Sequence, residues 1–248
     1  MSLVETFSTN NQEKLNTIKN IYEKATPIEH IYIHDFFSNE DVESILEEWP
    51  SLDDTRWSSL KRMVDYGVGN KLEISNLELM GHQTQQILLR LISEPFIKSL
   101  EYVTGIKNLK SDIELYGGGL VYTPSGGFLK VHADFNYYDK IKMYRRINII
   151  IYLNEDWEES WNGNLEFWSE DMQKVKSYPP NLNTAILFHV HDKAFHGYPD
   201  TIKCPDTMGR KSINLYYYTL ENDSFQDKNP HKTIWKETNN TAANLESY

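Results

Sequence analysis

The chain has one cysteine, Cys204, in 248 residues. No disulfide can form within it, and a thiolate-built zinc site lacks ligands. Positive charge is also scarce. The 25 Lys and Arg stand against 36 Asp and Glu, a formal net charge of -11 at pH 7. Such an acidic surface disfavours a nucleic-acid backbone as partner but leaves room for a local basic pocket. Long hydrophobic runs are missing too. INIIIYL at 147–153 suits a buried strand and falls far short of a bilayer span. The opening MSLVETFSTNNQEKLN has no basic region followed by an apolar one, so it does not read as a signal peptide. These absences point to a cytoplasmic protein with neither membrane nor nucleic acid as partner.

What is abundant is aromatic: 16 Tyr, 10 Phe and 6 Trp within a 40% hydrophobic chain. That composition builds a core and suits one large domain. In QEKLNTIKNIYEKA, Leu15, Ile18 and Ile21 to Tyr22 recur at helical spacing, and Pro27 stops the run. Ile31 and Ile33 read as a short strand. Ser38 caps a helix whose stripe is Val42, Ile45, Leu46 and Trp49. Residues 51–76 read as irregular. A further helix runs from about Thr84, interrupted or kinked at Pro95 and ended by Gly105. From about residue 111 the pattern changes to short β-branched and aromatic runs between glycines. Strands are expected near 112–122, 129–133, 145–153, 164–168, 184–189 and 212–219. The fold class is therefore mainly β with flanking helices, a β-sandwich or jelly roll. One domain covers 1–248: a mostly helical part at 1–110, a β core at 111–222 and a polar tail at 223–248, loose over its final TNNTAANLESY.

His132-Ala133-Asp134 follows an apolar run. On extended backbone, residues two apart share a face, so this pair can aim at one point. One distant histidine would complete a two-histidine, one-carboxylate set that leaves three positions open on iron. His189, His191 and His196 all lie in AILFHVHDKAFHGYP. Spacing favours the 189/191 pair, while His196 sits where a glycine lets the chain turn. Composition leaves the choice open, and a zinc site of His132, Asp134 and His191 is chemically admissible.

Residues 116–219 resemble the prolyl 4-hydroxylase-like branch of the iron(II)/2-oxoglutarate oxygenases. The resemblance rests on ordered elements. Tyr122, the Gly126-Gly127 turn, Phe128 and then His132 and Asp134 come first. Arg145-Arg146 leads the strand ending Tyr152-Leu153-Asn154. Trp157 or Trp161 precedes the Gly163-led strand, and Asn183 leads the strand ending in Phe188. A distal histidine and Arg210-Lys-Ser212 complete the series. The segment between His196 and Arg210 departs from the family, keeping only Pro199 of its usual proline-valine pair.

The resemblance implies a double-stranded β-helix, a cupin-like jelly roll. It selects His196 as the third metal ligand beside His132 and Asp134. It implies Fe(2+), 2-oxoglutarate as co-substrate and O2, with ascorbate as a supporting reductant. Arg210 is matched to the far carboxylate of 2-oxoglutarate, with Tyr122 and Ser212 as hydroxyl donors to it and Lys211 facing away. Asp134 at the ligand position implies hydroxylation of an aliphatic C–H rather than halogenation. The expected substrate is a prolyl residue of a protein or peptide. The alternatives are a small metabolite (a free amino acid, a sugar or a specialised metabolite) or a 2-oxoglutarate-independent cupin-like metal enzyme. Trp57, Arg62, Tyr66, Tyr137, Tyr138, Lys140, Tyr144, Trp157 and Trp161 are candidates to frame the pocket. Of Arg145 and Arg146, neighbours on a strand, one faces the barrel. An inward arginine beside the metal would favour a small acid over a peptide.

Overall fold

A computed structural model of the chain describes residues 2–59, 67–220 and 229–238. The periodic segments fold as their spacing dictates. Helix α1 (Leu3–Ser8), too short to leave a periodic signal, is closed by a capping box between Ser2 and Glu5. Helix α2 (Gln12–Glu23) buries Leu15 and Tyr22. Strand β1 (His30–Ile33) follows, then α3 (Asn39–Glu47), whose Asp41 amide is capped by the Ser38 hydroxyl. The long helical stretch after residue 80 is two helices, α4 (His82–Leu91) and α5 (Glu94–Thr104). Pro95 lies in the first turn of α5, where its missing amide costs nothing, so it starts a helix rather than kinking one.

Residues 51–76, expected to be irregular, hold β2 (Ser58–Ser59), β3 (Val68–Gly69) and β4 (Leu72–Ile74). The core strands are β5 (Lys110–Ser111), β6 (Gly119–Pro124), β7 (Phe128–Ala133), β8 (Tyr137–Tyr138) and β9 (Met143–Tyr152). They continue as β10 (Leu165–Trp168), β11 (Lys174–Tyr178), β12 (Thr184–His189), β13 (His196–Tyr198), β14 (Gly209–Thr219) and β15 (Ile234–Trp235). The run expected at 112–122 is broken. Asp112 accepts the amides of Glu114 and Tyr116, and Leu115 and Gly117 adopt positive φ, so a turn precedes β6. Strand β15 lies in the segment read as a polar tail, ahead of the part expected to be loose.

Among the described residues, the larger antiparallel sheet runs β1-β12-β9-β14-β6-β4-β2, with β5 also on β14 and β8 on β9. The smaller runs β11-β10-β13-β7-β15, with β3 also on β7. Mainly β with flanking helices, this is the double-stranded β-helix, a jelly roll. Alternation sorts the side chains of the larger sheet. Ile147, Ile149, Ile151, Leu187, Ile213 and Leu215 pack with the helices against Leu15, Leu88, Phe96 and Leu100. Ile150, Tyr152, Ile186 and Phe188 cluster instead with Leu165 and Phe167 of the smaller sheet.

One irregularity re-aims a side chain. Tyr217 faces Ile147 and Tyr218 faces Arg145, so Arg146 is the extra residue of a β-bulge. Strict alternation from Asn148 would turn Arg146 inward. The bulge turns Arg145 inward instead, where it lines a cavity beside Asn148.

Candidate metal centre and co-substrate pocket

Strands β7 and β13 pair so that His132 stands directly opposite His196. Their rings lie 4.5 Å apart. Asp134 follows just past the end of β7. Its Oδ1 is 3.4 Å from His132 Nε2, and its Oδ2 is 3.5 Å from His196 Nε2. One ligand atom from each of the three lies within 4.8 Å of the others. The backbone fixes both imidazoles. His132 Nδ1 is 2.9 Å from the Lys130 carbonyl, and His196 Nδ1 is 2.8 Å from that of Ala194. A carbonyl can only accept, so each Nδ1 carries the proton and each Nε2 lone pair points at the shared centre.

Electrostatics suit a cation. Burial, reinforced by His132, pushes His196 down to about 4, so its ring is neutral at neutral pH. Burial opposes ionisation of Asp134, but Arg145, His132 and His196 outweigh it and hold the carboxyl well below its ordinary range. Arg145 meets Asp134 Oδ2 at 3.0 Å, and Asn148 Nδ2 donates to the same oxygen at 2.8 Å. Asn148 in turn accepts from Arg145 Nε at 2.8 Å. This pair orients the carboxylate from behind. Two imidazoles and one carboxylate fit a divalent iron ion with open positions.

His189 and His191 are not part of this cluster. They line a separate cavity with Glu29, whose carboxylate lies 3.5 Å from His189. The zinc alternative through His191 is thereby overturned, since β12 carries the chain away before β13 returns it to β7.

The triad opens into a cavity of about 700 Å³ that Arg210 also lines. Arg210 is buried. Its Nε donates to the Gly163 carbonyl at 2.8 Å and its Nη2 to the Tyr152 hydroxyl at 3.1 Å. Its guanidinium carbon sits 4.4 Å from the Tyr198 ring centre. Gly163 allows this approach at φ 82°, where a Cβ would crowd Trp157 and the Arg210 stem. Burial raises the Tyr152 phenol to about 12, against the pull of Arg210, so it stays protonated. Arg145 has Asp134 as its anion, whereas Arg210 has no carboxylate at ion-pair distance among the described residues.

Two hydroxyl expectations change. Tyr122 pairs in register with Lys211, so it shares the face expected to point away. Its ring covers Gly209, where a Cβ would lie 2.4 Å from the Tyr122 ring, and it packs against Trp57. The cavity is lined instead by its neighbour Val121. Tyr152 and Tyr198, given no role from the sequence, flank Arg210. Ser212 does share the Arg210 face, but its hydroxyl donates to Asn214 at 3.0 Å.

Of the framing candidates, Tyr138 and Lys140 line the cavity. Tyr137 packs on Tyr144, and Trp157 packs on Trp161 beneath Ile202. Arg62 and Tyr66 lie outside the described residues. Trp235 of β15 was not foreseen. It stands opposite His132, with ring centres 4.9 Å apart.

Fold and site together define a non-haem metal oxygenase of the jelly-roll class. The chain matches the family model of the 2OG-Fe(II) oxygenase superfamily over residues 117–218. It is an enzyme dependent on iron(II) and 2-oxoglutarate. No curated protein matches the chain. A prolyl-4-hydroxylase of Pseudomonas putida is similar at 14% identity and TM-score 0.56, covering 82% of this chain and 98% of its own. A prolyl hydroxylase from Trichoplax adhaerens, in complex with a hypoxia inducible factor peptide fragment, reaches 15% and 0.57, over 85% and 93%. HygX from Streptomyces hygroscopicus, with nickel, 2-oxoglutarate and hygromycin B bound, reaches 11% and 0.52, over 91% and 97%. At these identities the likeness is one of fold. Among the described residues, no helix is long and apolar enough to cross a membrane.

Proposed function

We propose that this chain hydroxylates an aliphatic carbon of a small molecule, with iron held by His132, Asp134 and His196. The far carboxylate of 2-oxoglutarate would pair with Arg210. The observation that carries this reading is Arg210 itself: a buried guanidinium, in the same cavity as the triad, with no carboxylate of a described residue beside it. Such a charge calls for an anion, and a planar carboxylate matches its fork. Tyr152, and Tyr198 whose hydroxyl lies 3.2 Å from Thr123, hold the guanidinium in place.

Bound iron would supply the coupled reaction in which O2 and 2-oxoglutarate give succinate and carbon dioxide, and C–H becomes C–OH. The protein's own share is positional. Arg145 and Asn148 keep Asp134 ionised and turned, and the two backbone carbonyls keep both Nε2 atoms bare. Trp235 and Phe188, 4.7 Å from the His196 ring, wall off the ligand rings.

The cavity favours a small molecule over a prolyl peptide. Its volume lies within the usual range for small ligands. At its rim the Lys140–Glu114 ion pair spans 2.6 Å. A cytoplasmic location agrees with a lone buried Cys204.

The test is direct. With Fe(II) and without oxygen, adding 2-oxoglutarate should produce a visible charge-transfer band. Arg210→Ala should weaken 2-oxoglutarate binding by about tenfold or more, the worth of a charge-assisted pair. Unchanged affinity in that variant would overturn the assignment and favour a cupin-like enzyme that needs no 2-oxoglutarate.

A further inference from the structure

The cavity is built from two sources. His132, Asp134, Arg145, His196 and Arg210 all lie within residues 117–218, the part matching the superfamily. Lys71, Glu73, Tyr116 and Trp235 line the same cavity and lie outside that match. The shared part holds the groups argued to bind iron and co-substrate. The added part is where this chain's own substrate preference would be written.

Its chemistry is specific. Glu73 of β4 stands opposite Val121 of β6, and this register turns both toward the cavity. Lys71 lies two residues earlier. Lys71 Nζ and Glu73 Oε2 are 3.5 Å apart, longer than a hydrogen bond, and their side chains are only 15% and 14% exposed. Glu73 Oε2 is buried and accepts no hydrogen bond from a described residue. Ser75 Oγ, 3.3 Å away, serves the other oxygen, Oε1. Burial works against the Lys71 charge, and the oxygens of Tyr216 and Tyr198 together with Glu73 outweigh it.

A buried pair of opposite charges at loose distance is costly unless something completes its bonding. A zwitterion whose charges sit on adjacent atoms of one carbon does so. Its carboxylate approaches the ammonium, its own ammonium approaches the carboxylate, and four alternating charges close a ring. A purely anionic substrate would meet Glu73, and a purely cationic one would meet Lys71. Trp235 supplies an apolar face beside His132 for the rest of the molecule.

Resting on the oxygenase reading above, we infer that Lys71 and Glu73 form the substrate-recognition site, and that the substrate is a small zwitterion of the α-amino acid type. The experiment is calorimetry on the anaerobic Fe(II) and 2-oxoglutarate complex. The probes are free L-amino acids, their N-acetyl derivatives and their methyl esters. At least one free amino acid should bind, with each capped form weaker by about tenfold. Lys71→Met should remove the penalty for the ester, and Glu73→Gln the penalty for acetylation. No binding by any free amino acid would overturn the inference, as would capped forms binding equally well. Variants that bind and discriminate as the native chain does would overturn it too. Should a variant fail to fold, the comparison of free with capped probes on the native chain decides alone. Absence of the 2-oxoglutarate band in the native chain would be failure of the oxygenase reading instead.

Discussion

At the scale of single residues, burial does the chemical tuning. His196 titrates near 4 in the folded chain, below the ordinary 6.5, chiefly because burial disfavours its charged form. A depressed histidine contributes stability that is whole above about pH 6.5 and is lost as pH falls toward 4, where the unfolded chain takes a proton the native chain refuses. The total is on the order of 3 kcal/mol. Melting of the metal-free protein should fall across that window, and His196→Asn should flatten the slope. Equal slopes in the two proteins would assign the loss to other groups. A second residue-scale prediction separates the tyrosines. Tyr152→Phe removes the hydroxyl that Arg210 donates to and should weaken 2-oxoglutarate about tenfold. Tyr122→Phe, on the far face of β6, should change it less than twofold. The opposite ranking in a binding titration would restore the reading made from sequence.

At the scale of elements, the segment 229–238 completes the site. Buried Asn136, two residues beyond Asp134, donates to the Asn229 carbonyl at 2.9 Å and accepts the His231 amide at 2.7 Å. Farther along, β15 pairs with β7 at Ala133 and His132, and Glu237 meets Lys130 at 3.1 Å. The loop that carries one ligand is thus stapled to the strand that walls another. Asn136→Ala leaves both backbone groups without their partner and should cost about 1–3 kcal/mol. A denaturation midpoint matching the native protein's would mean that the staple contributes nothing. Glu29 gives an element-scale pH signal at the other cavity. Its bond to His189 is the chief reason its carboxyl is lowered from 4.5 to about 2. The attachment of β1 to the end of β12 is therefore intact above about pH 4.5 and weakens as pH falls toward 2. Glu29→Gln should lose that acid transition in a pH-melting series.

For the whole molecule, iron held by His132, Asp134 and His196 would join two strands of the smaller sheet. Iron that binds only the folded chain stabilises it as the logarithm of one plus the ratio of free iron to its dissociation constant, about 2.7 kcal/mol at a hundredfold excess. Fe(II) or a redox-inert divalent substitute should raise the melting temperature, and a chelator should reverse it. Asp134→Ala should abolish the shift. A shift that survives in Asp134→Ala would place the ion elsewhere.

The sequence by itself determined what depends on short spacing. HxD at the end of a strand puts His132 and Asp134 on one side, and alternation in INIIIYL buries a helix-facing and an inward-facing row. Ser38, Gly105 and the periodic stripes set the helices. The strands of the core were legible because each is apolar enough to mark itself; β11 is an exposed edge with two lysines, and β13 has only three residues. Only the tertiary structure decided which partners meet. Pairing of β13 with β7 brings His196, rather than His189 or His191, opposite His132. A one-residue bulge chose Arg145 over Arg146 for the cavity, and a register with Lys211 turned Tyr122 out of it. Lys71, Glu73 and Trp235 come from segments remote in the chain, and no local pattern announces them. A strand's own residues fix the alternation of its two faces, but only hydrogen-bond register with its neighbours fixes which face looks inward.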